Sequence, residues 1–123
     1  MDPSALHGLV EQGFNDGDVE ALVRLYEPGA RMVRDDGTAA VGTDEIRALL
    51  TGLLEPGGRI GVVTRYAVEA GDLALLSNVW TYEDDGGSFS SVTAEVARRQ
   101  DDGSWRYVID NPYAAAPDAP AEP

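Results

Sequence analysis

The sequence contains no cysteine and no lysine, and His7 is its only histidine. Without cysteine, the chain has no means of forming a disulfide, a thiolate metal site or a cysteine nucleophile. A single histidine also argues against a zinc site built from imidazoles. No apolar run approaches the roughly 20 residues that a membrane-spanning helix needs. The N-terminal residues lack a basic region followed by an apolar stretch, so we expect a cytoplasmic protein.

The charges of the chain are strongly unbalanced. All nine residues of the Lys and Arg type are Arg, whereas 22 Asp and Glu give a net charge of −13. Such a chain repels nucleic-acid phosphates and anionic membrane surfaces, so we predict neither as a partner. Its 123 residues, 43% of them hydrophobic, are enough for one globular domain with its own core.

The spacing of apolar residues changes once along the chain. Helical spacing covers residues 3–15, 19–26 and 43–54, and a hairpin is predicted between the last two, at 30–42. Asp/Gly turns then separate four strand-like segments, which are residues 59–70, 73–83, 89–100 and 104–110.

This order of elements predicts an α+β fold, with three N-terminal helices packed on one face of a strongly curved, mostly antiparallel sheet. We predict a single domain over residues 1–113. The Ala/Pro-rich residues 114–123 offer little apolar surface, and we expect them to form a flexible tail.

Three segments carry a resemblance to a known superfamily: FNDGDVEALVRLYEPGARMV (14–33), GTDEIRALLTGLL (42–54) and DDGSWRYVIDNPY (101–113). They resemble the nuclear transport factor 2-like superfamily, which includes ketosteroid isomerases, SnoaL-like polyketide cyclases and limonene epoxide hydrolase. The DNP sequence near the end is similar to that of the SgcJ/EcaC-like bacterial branch. The resemblance implies a cone-shaped, cystatin-like fold with a pocket at its wide end. It also implies a homodimer formed through the outer face of the sheet.

The resemblance leaves several functions open, because this scaffold hosts many unrelated reactions. One is a cofactor-independent isomerase, cyclase or dehydratase that transfers a proton on a small polyketide- or steroid-like molecule in secondary metabolism. Another is a non-catalytic accessory dimer that binds a small apolar molecule in the same cavity. A third is an epoxide hydrolase with an Asp–Arg–Asp arrangement, which would need Arg65 or Arg34 between Asp110 and an acid such as Glu95. None of the three needs a cofactor.

Two carboxylates on the late strands are the candidate catalytic residues, Glu95 and Asp110. Glu95 lies in VTAEVA, a segment with few other charges, where burial would raise its pKa, although an exposed Glu is the more frequent arrangement. Asp110 precedes an Asn-Pro pair, so it either points into the pocket as a proton shuttle or caps a terminal turn. The resemblance places an acid of the isomerases near Glu95. It places their general base at Arg34 and their tyrosine donor at Val10, and both positions depart from the isomerase pattern.

The candidate binding residues begin with Asn78, Trp80 and Tyr82, which alternate along one strand and therefore share a face. That face lies toward either the cavity or the dimer surface. Tyr66 alternates with Ile60 and is predicted to polarise a substrate carbonyl together with Asn78 and Tyr82. Phe14, Arg34 and Tyr113 complete the predicted substrate-binding set.

Other aromatic and titratable residues have simpler interpretations. His7 is out of phase with its apolar neighbours Leu6 and Val10, which predicts a solvent-exposed histidine. Trp105 and Tyr107 alternate with Ile109, so the three are predicted to share one packed face.

Overall fold

The computed structural model describes residues 2–116 of the chain. The elements are α1 (Ala5–Asn15), α2 (Val19–Val23), β1 (Tyr26–Val33), β2 (Ala39–Val41), α3 (Gly42–Leu54), β3 (Arg59–Ala70), β4 (Leu73–Asp84), β5 (Gly87–Arg99) and β6 (Trp105–Ala115). The strands form one six-stranded sheet in the order β2-β1-β6-β5-β4-β3. Only the β1–β6 pair is parallel among these strands. The predicted α+β fold, with three helices on a curved and mostly antiparallel sheet, is confirmed.

The helices pack against the inner face of the sheet. The core combines apolar residues of the helices, such as Leu6, Leu22 and Ile46, with strand residues such as Leu76 and Trp105. Within residues 2–116, no helix is long and apolar enough to span a membrane.

The second helix is shorter than its apolar spacing predicts, because Tyr26 begins a strand instead of closing a helical turn. Asp18 begins α2, and its carboxylate accepts a hydrogen bond from the Ala21 N–H at 3.1 Å. After α2 the chain meets β6, where the Tyr107 N–H donates to the Leu25 carbonyl at 2.7 Å. Tyr26 is the β-sheet partner of Tyr107, so tertiary pairing overrides the local helical pattern.

A β-bulge in β3 reverses the faces of that strand. Thr64 is the partner of Asn78, and Tyr66 is the partner of Ser77, so Arg65 is an extra residue between them. One extra residue moves every later side chain to the opposite face. Tyr66 therefore lies on the outer face with 39% of its surface exposed, and its predicted alternation with Ile60 is wrong.

A second irregularity, in the pairing of β5 with β6, has the same effect near the end of the chain. The register shifts between the pairs Ala97–Tyr107 and Val96–Ile109. Trp105 and Tyr107 are buried on the inner face, whereas Ile109 is 44% exposed, so the prediction that the three share one face is wrong. Asp110, by contrast, is buried.

The segment after Asp110 continues the strand. Asn111 pairs with Ala94, and β6 runs through Pro112 to Ala115, so the strand does not end in a turn at Asp110 and Asn111. The expected bond to a backbone N–H is present at Asn111, whose Oδ1 accepts from the Tyr113 N–H at 3.0 Å. The pairing is irregular next to Pro112, which suits a residue that has no N–H to donate. The first two residues of the predicted tail, 114 and 115, thus belong to β6, and residues 117–123 lie outside the described part of the chain.

Candidate active site

An apolar cavity of about 70 Å³ lies between the helices and the inner face of the sheet. Its walls include Val10 and Phe14 of α1, Leu50 and Leu53 of α3, and Ile60 and Val62 of β3. A wider vestibule of about 380 Å³ adjoins it and shares the lining residues Phe14, Leu53, Trp80 and Tyr113. The deep cavity accommodates one end of a small molecule, and the vestibule has room for the remainder.

Two buried carboxyl groups lie side by side in the wall of this cavity. Glu95 of β5 and Asp110 of β6 are partners across the two strands, and both line the cavity. Leu76 is the partner of Glu95 on β4, and Met32 is the partner of Asp110 on β1. The two acids therefore sit in a row of sheet residues with apolar side chains on either side.

Asp110 is held as a neutral carboxylic acid at pH 7. Burial is the main cause that raises the pKa of Asp110, to about 8, and repulsion from the Glu95 carboxylate adds to it. The Tyr26 hydroxyl donates a hydrogen bond to Asp110 Oδ2 at 2.6 Å, which acts in the opposite direction. Burial, followed by the nearby Asp110, also raises the pKa of Tyr26 well above its ordinary value. Tyr26 thus remains a hydrogen-bond donor that orients the Asp110 carboxyl.

Glu95 has a different set of partners. His7 Nε2 lies within hydrogen-bond distance of Glu95 Oε1, at 2.8 Å, and the two side chains are 3% and 4% exposed. His7 Nδ1 lies 2.8 Å from the hydroxyl of Thr64. Asn78 Nδ2 donates to Glu95 Oε2 at 3.3 Å. Both oxygens of Glu95 therefore have a polar side-chain partner within the fold.

The buried position of His7 contradicts the prediction of a solvent-exposed histidine. His7 precedes Val10 by three residues and Phe14 by seven, and all three lie on the side of α1 that faces the sheet. This i, i+3, i+7 spacing was visible in the sequence. A comparison of His7 with Leu6 and Val10 alone gives the wrong face, because it leaves out Phe14, the third member of the stripe.

Six of the predicted site residues line the cavity: Asp110, Glu95, Asn78, Trp80, Phe14 and Tyr113. The Trp80 indole N–H donates to the Pro112 carbonyl at 2.8 Å, and its ring contacts the Tyr113 ring. Tyr82 lies in the vestibule, where its hydroxyl donates to Asp84 at 2.7 Å. Tyr26 was missed as a site residue because its position in β1 follows from pairing with a distant strand.

Two predicted binding residues lie away from the cavity. Tyr66 is on the outer face, with the guanidinium of Arg65 5.6 Å from the centre of its ring. Arg34 donates to the Thr38 hydroxyl and lies 3.9 Å from Glu45. Placing Tyr66 and Arg34 in the binding set is therefore wrong. Tyr66 lies away from the cavity because the bulge moves it to the outer face. Arg34 lies away from the cavity because it follows the last residue of β1.

The Asp–Arg–Asp arrangement of an epoxide hydrolase is not formed among the described residues. Arg65 donates to the Ser77 hydroxyl at 2.9 Å on the outer side of the sheet, and Arg34 donates to the Thr38 hydroxyl. The side chains around the cavity in residues 2–116 include no arginine. Within the same residues, no group of three or more His, Asp or Glu side chains is placed to hold a metal ion.

The sequence profile of a SnoaL-like domain matches residues 6–108. The chain belongs to the SnoaL-like domain family. No curated protein has significant sequence similarity to it. Membership in the SgcJ/EcaC-like branch stays a prediction.

Solved structures share the fold of this SnoaL-like domain at low sequence identity. An NTF2-like protein of unknown function from Shewanella oneidensis has a TM-score of 0.77 and 18% identity, and the match covers 87% of this chain and 92% of that one. A ketosteroid isomerase-like protein from Erwinia carotovora has a TM-score of 0.72 and 19% identity, covering 89% and 90%. A domain of unknown function with a cystatin-like fold from Nostoc punctiforme has a TM-score of 0.77 and 20% identity, covering 93% and 77%. These likenesses show the fold alone.

The raised pKa of Asp110 predicts how the stability of this SnoaL-like domain depends on pH. Below pH 4 the group is protonated in both the folded and the unfolded chain, so it makes no difference to stability. Between about pH 4 and about pH 8 the unfolded chain releases this proton more readily, so the free energy of unfolding falls as the pH rises. The fall amounts to several kcal/mol, since each unit of pKa difference is worth ~1.4 kcal/mol.

Urea unfolding of wild type and Asp110→Asn between pH 4.5 and 8.5 measures this effect. The asparagine does not ionise, so the pH dependence over this range should become much flatter. Asp101→Asn, in an exposed turn, is the matched control and should keep the wild-type slope. Equal slopes in wild type and Asp110→Asn would show that Asp110 is not buried as a neutral acid.

Proposed function

We propose that this SnoaL-like domain catalyses cofactor-independent proton transfer on a small, mostly apolar carbonyl compound, as an isomerase, cyclase or dehydratase does. The observation that carries the proposal is the pair of adjacent buried carboxyl groups, each with different hydrogen-bond partners. Asp110 is bonded to a phenol and is neutral at pH 7, whereas Glu95 is bonded to an imidazole and an amide. Two neighbouring acids with different surroundings are suited to act as an acid and a base in one reaction.

In the proposed mechanism, the substrate carbonyl oxygen accepts a hydrogen bond from the Asp110 carboxylic acid. Glu95 removes a proton from the carbon next to that carbonyl, and negative charge develops on the oxygen. The O–H of Asp110 stabilises this enolate, and Tyr26 holds the Asp110 carboxyl in place. Glu95 then returns the proton to another carbon of the substrate, or the leaving group departs. The apolar walls exclude water, which strengthens each of these interactions.

The proposal differs in part from the sequence hypothesis. Asp110 and Glu95 keep the roles of proton-transfer groups, and Asn78 remains a candidate partner of the substrate. Tyr26 takes the position that Tyr66 and Tyr82 were expected to fill, because Tyr66 is on the outer face and Tyr82 is in the vestibule. A polyketide- or steroid-like substrate and a role in secondary metabolism remain proposals that the resemblance supports. A cytoplasmic location remains a proposal that rests on the amino-acid sequence alone.

The reaction is tested by deuterium exchange at the α-carbon of 2-tetralone in D₂O, followed by ¹H NMR. The wild type should accelerate this exchange, and Glu95→Gln should slow it by roughly 10²–10⁴-fold because the general base is lost. Asp110→Ala should slow the exchange by about 10²–10³-fold. Asp110→Asn should slow the exchange less, because the asparagine amide still donates a hydrogen bond.

Tyr66→Phe is the matched control for this experiment. It removes a phenol hydroxyl that lies on the outer face, so exchange should continue at the wild-type rate. If 2-tetralone binds and wild type does not accelerate exchange, the cavity belongs to a binding protein and the catalytic proposal is wrong. Acceleration that survives Glu95→Gln would assign the base to another group.

We also propose that two copies associate through the outer face of the sheet. Val68, Leu75, Val96 and Ile109 are successive partners across β3, β4, β5 and β6. They form a continuous apolar row, and Val68 is 56% exposed. Exposed apolar surface that is continuous over four strands favours a symmetric contact with a second copy.

Sedimentation velocity tests this association. The wild type should sediment as a dimer, and the double variant Val68→Asp, Leu75→Asp should be a monomer because it places charges in the apolar row. Leu9→Asp is the control, since Leu9 is an exposed apolar residue of α1 and not of the sheet. A monomeric wild type at high micromolar concentration would contradict the proposal.

A further inference from the structure

Two buried polar side-chain atoms have no hydrogen-bond partner among the described residues, Asn78 Oδ1 and Tyr107 Oη. Asn78 is 3% exposed and lines the cavity, whereas Tyr107 does not line it. Folded proteins rarely leave a buried acceptor unsatisfied, because the lost hydrogen bonds to water are not replaced. Because Asn78 lines the cavity, its unsatisfied oxygen is the candidate acceptor for a molecule bound there.

The orientation of the Asn78 amide is determined by its neighbours. Its Nδ2 donates to Glu95 Oε2 at 3.3 Å, and a carboxylate accepts hydrogen bonds but does not donate them. Nδ2 must therefore face Glu95, which leaves Oδ1 as the free end of the amide. The Asn78 backbone N–H donates to the Thr93 hydroxyl at 2.9 Å, so the residue is held at its backbone as well.

We propose that Asn78 Oδ1 is a specificity site that accepts a hydrogen bond from a hydroxyl group of the substrate. This inference rests on the proposed function and narrows its substrate class to apolar carbonyl compounds that also carry a hydroxyl or enol O–H. A second carbonyl or an ether oxygen at this position has no proton to donate and is disfavoured. An anionic group is disfavoured too, because the Glu95 carboxylate is bonded to the same amide.

The surroundings of Asn78 fit a ligand of this kind. Trp80, two residues further along the same strand, lines both the cavity and the vestibule. Val62, the partner of Trp80, also lines the cavity, so the skeleton of the ligand contacts aromatic and aliphatic surface next to the acceptor. A neutral acceptor in an apolar wall discriminates strongly between a ligand that donates a hydrogen bond and the methylated analogue of that ligand. In the complex with the methylated analogue the acceptor stays buried without a partner, which weakens binding.

The test compares 4-ethylphenol with 4-ethylanisole, its methyl ether, as probes in NMR titrations at pH 6.5. Both have the same ring and an oxygen that accepts, but only the phenol donates. Wild type should bind the phenol at least about tenfold more tightly. Asn78→Leu should reduce this preference to roughly twofold or less, chiefly by weakening the binding of the phenol. Tyr107→Phe removes the other unpartnered hydroxyl and is the matched control that should keep the preference.

The outcomes separate this inference from the proposed function. Equal affinity of wild type for the two probes overturns the hydroxyl site and leaves proton transfer in the cavity intact. A preference that survives Asn78→Leu overturns it as well. Binding of neither probe overturns both the hydroxyl site and the proposed use of the cavity. If Asn78→Leu does not fold, the ¹³Cγ resonance of Asn78 in wild type decides, since it should shift with the phenol and not with the ether.

Discussion

Glu95 and Asp110 face each other across β5 and β6 on the inner side of the sheet, and the proposed chemistry depends on that placement. Two carboxyl groups so close in an apolar wall do not both ionise readily, because each charge disfavours the other. Burial, followed by repulsion from Glu95, raises the pKa of Asp110, whereas the hydrogen bond from Tyr26 acts in the opposite direction. Tyr26 donates to Asp110, while Asn78 donates to Glu95 and His7 Nε2 lies 2.8 Å from it. Side chains from three elements distant in sequence thus hold the two carboxyl groups of one pair.

Irregular strand pairing is what brings these groups together. Thr64 precedes the bulge at Arg65 and lies on the inner face, where its hydroxyl meets His7, whereas the bulge moves Tyr66 outward. The register shift that precedes Asp110 buries this carboxyl and exposes Ile109. Such irregularities are frequent near active sites, where they re-aim a side chain. The same two shifts help to align the apolar row on the outer face, so the site and the proposed dimer surface depend on common features of the sheet.

Much of the fold is readable from the sequence, because it follows from local signals. Apolar stripes identify the helices, and Asp/Gly turns such as those at Gly71 and Gly103, where φ is positive, separate the strands. The sequence marks Asp110, Glu95 and Asn78 as candidates but leaves their direction open, and the structure places all three in the cavity wall. The face of Tyr66 was not predictable, since a bulge depends on pairing with another strand. The place of Tyr26 in the site was not predictable for a similar reason, because its pairing with the distant Tyr107 ends the helical pattern.

The most direct test of this account is a pH titration of the Asp110 ¹³Cγ resonance in wild type and in Glu95→Gln. The account predicts a midpoint near pH 8 in wild type, because of burial and of repulsion from Glu95. In Glu95→Gln the midpoint should fall while staying above the ordinary value of 3.8, since burial remains. A wild-type midpoint near pH 4 would contradict the account, because Asp110 would then be ionised at neutral pH and have no proton to donate.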